Sequence, residues 1–212
     1  MLDYEMPRDH PIHRAAILVD WRNLIGSDPS KSRGIPADRF IRETIFAVQG
    51  ACAAVIGSLG KGRRYRCRVR VYDGWHAERV PTPNRVSFEK LYASYATAND
   101  FSRTIGRVSF PGRPEFGDQL VHDERYGTLY DTHRAQGQKM VDTSIVADAL
   151  ALLVTDYADL VIIVSDDDDY IPAMVMGEAL NHTICLLRRH GRSMENVSTA
   201  VQTTSLKYWS GL

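Results

Sequence analysis

Leu160-Val-Ile-Ile-Val-Ser-Asp-Asp-Asp-Asp-Tyr170 is an apolar, β-branched run that ends in a serine and four consecutive aspartates. Its length and composition predict a buried strand. Negative charge then gathers at the strand's C-terminal end, and in open α/β sheets that edge is where ligands bind. Carboxylates this close repel one another and do not ionise together comfortably without a cation or a hydrogen-bonded shell. Oxygen ligands at this density suit Mg²⁺ or Mn²⁺, and a metal there points toward phosphate chemistry. The same residues also read as a solvated acidic turn that caps the next helix.

Working outward, the pattern alternates between strands and helices. Ala15 to Val19 is a short apolar run that stops at Asp20, a first buried strand. Gly26 to Gly34 is rich in Ser, Pro, Lys and Gly and reads as a loop. From Pro36 to Ile56 the apolar residues Phe40, Ile41, Ile45, Val48, Cys52 and Val55 recur at helical steps. Arg64 to Tyr72 alternates with period two, arginines to one side and Tyr65, Cys67, Val69 and Val71 to the other. A helix is expected over 86–98, a strand over 103–110, and a long loop or irregular hairpin over 111–138. Helices follow at Val141 to Tyr157 and Tyr170 to Leu180, with further strands at Thr183 to Leu187 and Ser205 to Trp209 and a short helix at Asn196 to Gln202. This order predicts an α/β fold with a mainly parallel central sheet and helices on both faces. One domain over 15–212, behind an N-terminal extension of residues 1–14, accounts for the chain.

Composition sets bounds. The 212 residues are 44% hydrophobic and 25% charged, ordinary values for a globular protein. Asp156 and Asp159 interrupt the longest apolar candidate, so neither a membrane-spanning helix nor a membrane partner is expected. The first ten residues lack the basic start and apolar centre of a signal peptide. Cys52, Cys67 and Cys185 are widely spaced and odd in number, which fits a reducing cytoplasm better than a disulfide framework or a zinc site. The net charge is zero but unevenly spread. Lys61 to Arg70 holds six cations in ten residues, while 142–169 is strongly acidic. A nuclease needs such a pairing, cations for the phosphate backbone and acids for a metal.

The acids fall at element ends. Asp20 follows the first strand, Asp142 opens a helix, and Asp167 and Asp169 follow the strand that ends at Ser165. A parallel sheet brings the C-terminal strand ends to one edge, so these groups can converge there. Asp148 lies on the apolar stripe of its helix, and a buried carboxylate there requires a partner, either a water on a metal or a neighbouring Lys or Arg.

Three stretches taken together, Ile17 to Asn23, Gln138 to Asp142 with Asp148, and Ser165 to Tyr170, resemble the NYN domain family of the PIN-like (FLAP-nuclease-like) superfamily. The family patterns are a strand ending in D-x-x-N, a helix start K-G-x-D, and a strand ending in S-G-D-G-D-F, and order and spacing both match over roughly 15–190. Two glycines of the last pattern are Asp166 and Asp168 here, the glycine after Lys139 is Met140, and Tyr170 stands for Phe. The resemblance implies a metal-dependent ribonuclease whose products carry 5′-phosphate and 3′-hydroxyl ends. Asp20, Asp142, Asp167 and Asp169 would be the catalytic metal ligands for one or two Mg²⁺ or Mn²⁺ ions, some through water. Asn23 would orient Asp20, a water on the metal or the substrate, and Ser165 would bond a carboxylate or a phosphate. Lys139 would contact a phosphate of the RNA or pair with an acid as a surface lysine, and Arg22 would bind substrate. The arginine strand could guide RNA or form a solvated face, and Trp21, Tyr72 and Trp75 could stack on bases or pack in the core.

Other classes compete. A non-catalytic RNA-binding or regulatory protein could keep this fold, although none of the four acids is missing. A dehalogenase-type phosphatase would need D-x-D after the first strand, where the chain has Asp20-Trp-Arg-Asn23. A dinucleotide-binding enzyme would need a Gly-rich turn after Val19, and none follows. An oligomer is compatible with the sequence, and no protein partner is indicated.

Overall fold

In the computed structural model, residues 11–25, 36–60, 62–94, 101–121, 133–134, 137–138, 140–189 and 207–210 are described. Two strands anchor the sheet. β1 (Ile12–Asp20) runs parallel to β10 (Leu160–Val164), with Ala15 to Val19 opposite Leu160 to Val164. On its other side β1 pairs in parallel with β2 (Arg64–Tyr72), so Asp20 stands opposite Tyr72. β11 (Ile184–Arg188) continues the sheet beyond β10, and β12 (Lys207–Ser210) lies beyond β11, both parallel. Beyond β2 come β6 (Val108–Phe110), parallel, and β5 (Arg103–Ile105), antiparallel. β7 (Glu115–Phe116) pairs with the C-terminal end of β2. Among the described residues the sheet has eight strands and is mainly parallel, and β3 (His76–Ala77) and β4 (Val80–Pro81) form a separate antiparallel pair.

Successive side chains of a strand point to opposite faces, and β1 feeds two cores this way. Ala15, Ile17 and Val19 enter the core covered by α2 (Ala37–Leu59) and α3 (Pro83–Ser94). Ala16 and Leu18 enter the core covered by α4 (Val141–Val154) and α5 (Ile171–Ala179). Helices therefore cover both faces, as the alternation predicts. Every residue of β10 is buried, which explains why its sequence is apolar throughout instead of alternating. A fully buried Leu or Ile such as Leu18 or Ile162 contributes about 1.5–3 kcal/mol.

Several elements depart from the sequence reading. A short helix, α1 (Trp21–Ile25), follows β1 at once. The strand expected over 103–110 is a hairpin, because Gly106 turns the chain at φ 58° and lets β5 fold back on β6. The long 111–138 segment begins as an ordered strand, β7, and ends in a hairpin of β8 (His133–Arg134) and β9 (Gly137–Gln138). A 3₁₀ turn at Asp168–Tyr170 leads into α5. The helix expected over 196–202 lies outside the described residues. Among the described residues α2 is the one helix long and apolar enough to cross a membrane, a stretch other than the one that Asp156 and Asp159 interrupt. In this fold its stripe of Ile41, Ile45, Val48, Cys52, Val55 and Ile56 packs into the core.

Candidate active site

Asp20 ends β1 at the C-terminal edge of the sheet and is 3% exposed. Its Oδ1 accepts the backbone N–H of Asn23 at 3.2 Å, a bond that α1 makes possible by turning immediately after the strand. Its Oδ2 accepts the Ser165 hydroxyl at 3.1 Å and lies 2.9 Å from the Tyr170 hydroxyl. The same hydroxyl lies 2.8 Å from Oδ1 of Asp142, in the first turn of α4. A phenol has one proton, so Tyr170 donates to one of these two carboxylates at a time. Asn23 accepts the backbone N–H of Asp166 through Oδ1 at 2.8 Å, joining α1 to the acidic loop. Ser165 Oγ accepts the N–H of Asp167 at 3.1 Å, and Asp167 Oδ1 accepts that of Asp169 at 3.1 Å. The sequence-predicted residues Asp20, Asn23, Asp142, Ser165, Asp167 and Asp169 are thus brought to one edge.

The charges interact there. Burial pushes the Asp20 carboxyl up from 3.8 to about 6, helped by Asp142 and opposed by the bonds from Asn23, Tyr170 and Ser165. Asp169 is held above the usual carboxylate range, first by Asp167 and then by burial, Asp142 and Asp168. Burial and the two neighbouring carboxylates push the Tyr170 phenol up, so it stays a donor. Among the described residues none of Asp20, Asp142, Asp167 and Asp169 forms an ion pair. Also among them, no three His, Cys, Asp or Glu side chains lie close enough to enclose one ion. The donors nevertheless fit a hard dication. They are all carboxylate oxygens, none of them is in an ion pair among the described residues, and Mg²⁺ binds through one or two carboxylates while keeping several waters.

The glycine replacements have separate explanations. Met140 sits at φ 65°, in the left-handed region that glycine takes freely, directly before α4. Asp166 and Asp168 do not use such angles; among the described residues the non-glycine residues that do are Glu78, Arg79, Met140, Asp156 and Asn181. Both aspartates instead form ion pairs, Asp166 with Arg189 and Asp168 with Arg188. Lys139 lies outside the described residues, and Arg22 is half-buried on α1 between Asp20 and Asn23.

Asp148 is engaged on the core side of α4. Its Oδ2 accepts the Tyr72 hydroxyl at 2.6 Å, its Oδ1 accepts the backbone N–H of Val121 at 2.7 Å, and Arg70 stands 3.7 Å away. Of the two readings of this residue, the structure shows a neighbouring arginine. The arginine strand has the expected alternation, but its C-terminal half has protein partners. Arg68 grips Glu115 at 2.8–3.0 Å, and Arg70 donates to the Gln119 carbonyl at 2.6 Å. Base stacking by Trp21, Tyr72 and Trp75 is not supported by their placement. All three are buried, and the tryptophans pack edge-on against Phe88 at 4.9 and 5.3 Å.

Sequence reasoning missed Tyr170 as a bridge, Arg188 and Arg189 as partners of the acidic loop, and Asp73. Asp73 stands directly after β2, one position beyond the place that Asp20 takes at the end of β1, and it accepts the Gly74 N–H at 2.7 Å and the Asn84 amide at 2.6 Å. The signal for Asp73 was an acid directly after a strand, although β2 alternates arginines with apolar residues where β1 is an apolar run.

A mainly parallel sheet is covered on both faces and has four carboxylates at its C-terminal edge, an arrangement in keeping with the PIN-like, nuclease-type domain that the family match gives. The model of the NYN domain family matches residues 14–207, nearly the whole chain, and the chain belongs to that family. No curated protein and no solved structure matches it.

Proposed function

We propose that the chain is a metal-dependent ribonuclease that hydrolyses RNA phosphodiesters at the carboxylate edge. One observation carries this reading: Asp20 and Asp142, far apart in sequence, meet at a single Tyr170 hydroxyl beside Asp167 and Asp169, with no ion pair to these four acids among the described residues. Four acids so placed are electrostatically incomplete. Asp20, Asp142, Asp167 and Asp169 would hold Mg²⁺ or Mn²⁺, directly or through water. When bound, the ion supplies Lewis-acid activation of a water and neutralises charge on the phosphate.

The chain's own residues supply the frame. Tyr170 keeps its proton on Oη and sets the separation of Asp20 and Asp142. Ser165 and the Asn23 N–H fix the orientation of Asp20. Asn23 Oδ1 and Ser165 Oγ hold the backbone of the loop that carries Asp167 and Asp169. RNA as the substrate class follows from the family, with Lys139 and Arg22 as candidate phosphate contacts. The test is cleavage of labelled single-stranded and structured RNA in Mn²⁺, Mg²⁺ or EDTA, with Asp20→Asn and Asp167→Asn beside the wild type. Cleavage that needs the metal and both carboxylates supports the reading. Cleavage indifferent to the substitutions, or RNA binding without any cleavage, overturns it, and the second result supports a non-catalytic RNA-binding role.

A further inference from the structure

Two consecutive arginines at the end of β11 meet the two aspartates that stand where the family pattern has glycine. Arg188 donates through Nη2 to Asp168 Oδ1 and through Nη1 to the Asp166 carbonyl at 3.2 Å. Arg189 donates its Nε to Asp166 Oδ2 and its backbone N–H to Asp166 Oδ1 at 3.0 Å, so one residue holds both oxygens. The Asp166 carboxylate is 2% exposed and the Arg188 side chain 6%. Charges this desolvated persist only when paired. β11 lies beside β10, with Leu187 opposite Val164, so the arginines stand next to the strand that launches the loop.

The contacts alternate. Asp166 and Asp168 are tied to β11, while Asp167 and Asp169, between and after them, belong to the carboxylate edge. We propose that Arg188 and Arg189 are positioning residues that clamp this loop through Asp166 and Asp168. The clamp fixes Asp167 and Asp169 for metal, and it cancels the two additional charges, so that an anionic substrate meets two loop carboxylates and not four. The inference rests on the metal-dependent reading above.

The sign of one measurement separates a clamp from a general charge effect. Removing a cation beside a dication site would by Coulomb attraction alone tighten metal binding. Removing a residue that positions the ligands weakens it, typically tenfold or more. We would titrate Mn²⁺ calorimetrically into the full chain and its Arg188→Gln, Arg189→Gln and Arg188→Lys variants. The same arginine changes would be repeated in an Asp166→Gly, Asp168→Gly background. The clamp predicts about tenfold weaker Mn²⁺ binding for each glutamine variant, partial recovery with Arg188→Lys, and, once both loop positions are glycine, no effect of Arg189→Gln and a smaller effect of Arg188→Gln, which then loses only its bond to the carbonyl of residue 166. The glycine background leaves no aspartate for either glutamine variant to strand, so it keeps the test open if Arg189→Gln, which leaves the buried Asp166 carboxylate without its cation, fails to fold. Unchanged or tighter binding in the glutamine variants, or an equal loss in both backgrounds, overturns the clamp. A wild type with no Mn²⁺ binding that Asp20→Asn removes overturns the metal reading itself, whereas wild-type binding indifferent to the arginines overturns only the clamp.

Discussion

Helix α4 carries two aspartates with opposite circumstances. Asp142, in its first turn, and Asp148, further along, each lie against a tyrosine hydroxyl, at 2.8 and 2.6 Å. Asp148 also has the Val121 N–H and the nearby Arg70 guanidinium, so its charge is answered within the protein. Asp142 shares its tyrosine proton with Asp20 and stands near Asp169, whose carboxyl it helps to raise. One carboxylate has a cation beside it within the fold; the other has no ion pair among the described residues. The difference teaches that a tyrosine partner does not by itself mark a structural acid, and that the balance of charge around it does.

This contrast can be broken in several ways. The largest effect is expected for Asp142→Asn, which should lower metal-dependent cleavage on the order of a thousandfold, as loss of a transition-state charge clamp does. Unchanged cleavage rates would remove Asp142 from the site. Next, Asp148→Ala should destabilise the protein by about 2–5 kcal/mol, because it leaves the buried Tyr72 hydroxyl and the Val121 N–H without their acceptor. Chemical denaturation reads this, and a loss below about 1 kcal/mol would show that Asp148 is not the structural partner described here.

A pH effect comes third. The folded state holds the Asp20 proton up to about 6, against 3.8 as the ordinary value. Between those pH values the folded chain binds more protons than the unfolded one, so Asp20 makes metal-free stability fall as pH rises. The expected loss is on the order of 3 kcal/mol, read as the difference between wild type and Asp20→Asn across pH 4–7. Mn²⁺ affinity should rise over the same window, since the metal competes with that proton. Parallel stability curves for the two proteins would contradict the burial of Asp20 as a charged group. The smallest effect is at Met140, where Met140→Gly should stabilise by up to about 1 kcal/mol by relieving the left-handed backbone, less what glycine gains in the unfolded state. Destabilisation would mean that the Met140 side chain supports the start of α4.

Much of this arrangement was legible in the sequence, for definable reasons. β10 announces itself because a strand buried on both faces is apolar throughout, and β1 ends in an acid where its apolar run stops. Once the sheet is parallel, Asp20, Asp167 and Asp169 must share an edge, and Asp142 follows from the start of α4. The partners of these acids were not legible. Tyr170 reaches Asp20 across 150 positions and Asp142 across 28. No local pattern records such a bond, and in sequence the tyrosine looked like a replacement for phenylalanine. Asp148 read equally as a metal-side or a core group, because Arg70 and Tyr72 approach it only when β2 is laid beside β1. The same holds for Arg188 and Arg189, which look like the polar end of a strand until β11 is set beside β10.

The most direct test of the central contrast is the Mn²⁺-induced change in melting temperature of wild type, Asp142→Asn and Asp148→Asn. If the edge is a metal site and Asp148 belongs to the fold, Mn²⁺ raises the melting temperature of wild type and of Asp148→Asn by similar amounts and leaves Asp142→Asn unmoved. No shift in the wild type, or a full shift in Asp142→Asn, would contradict the account.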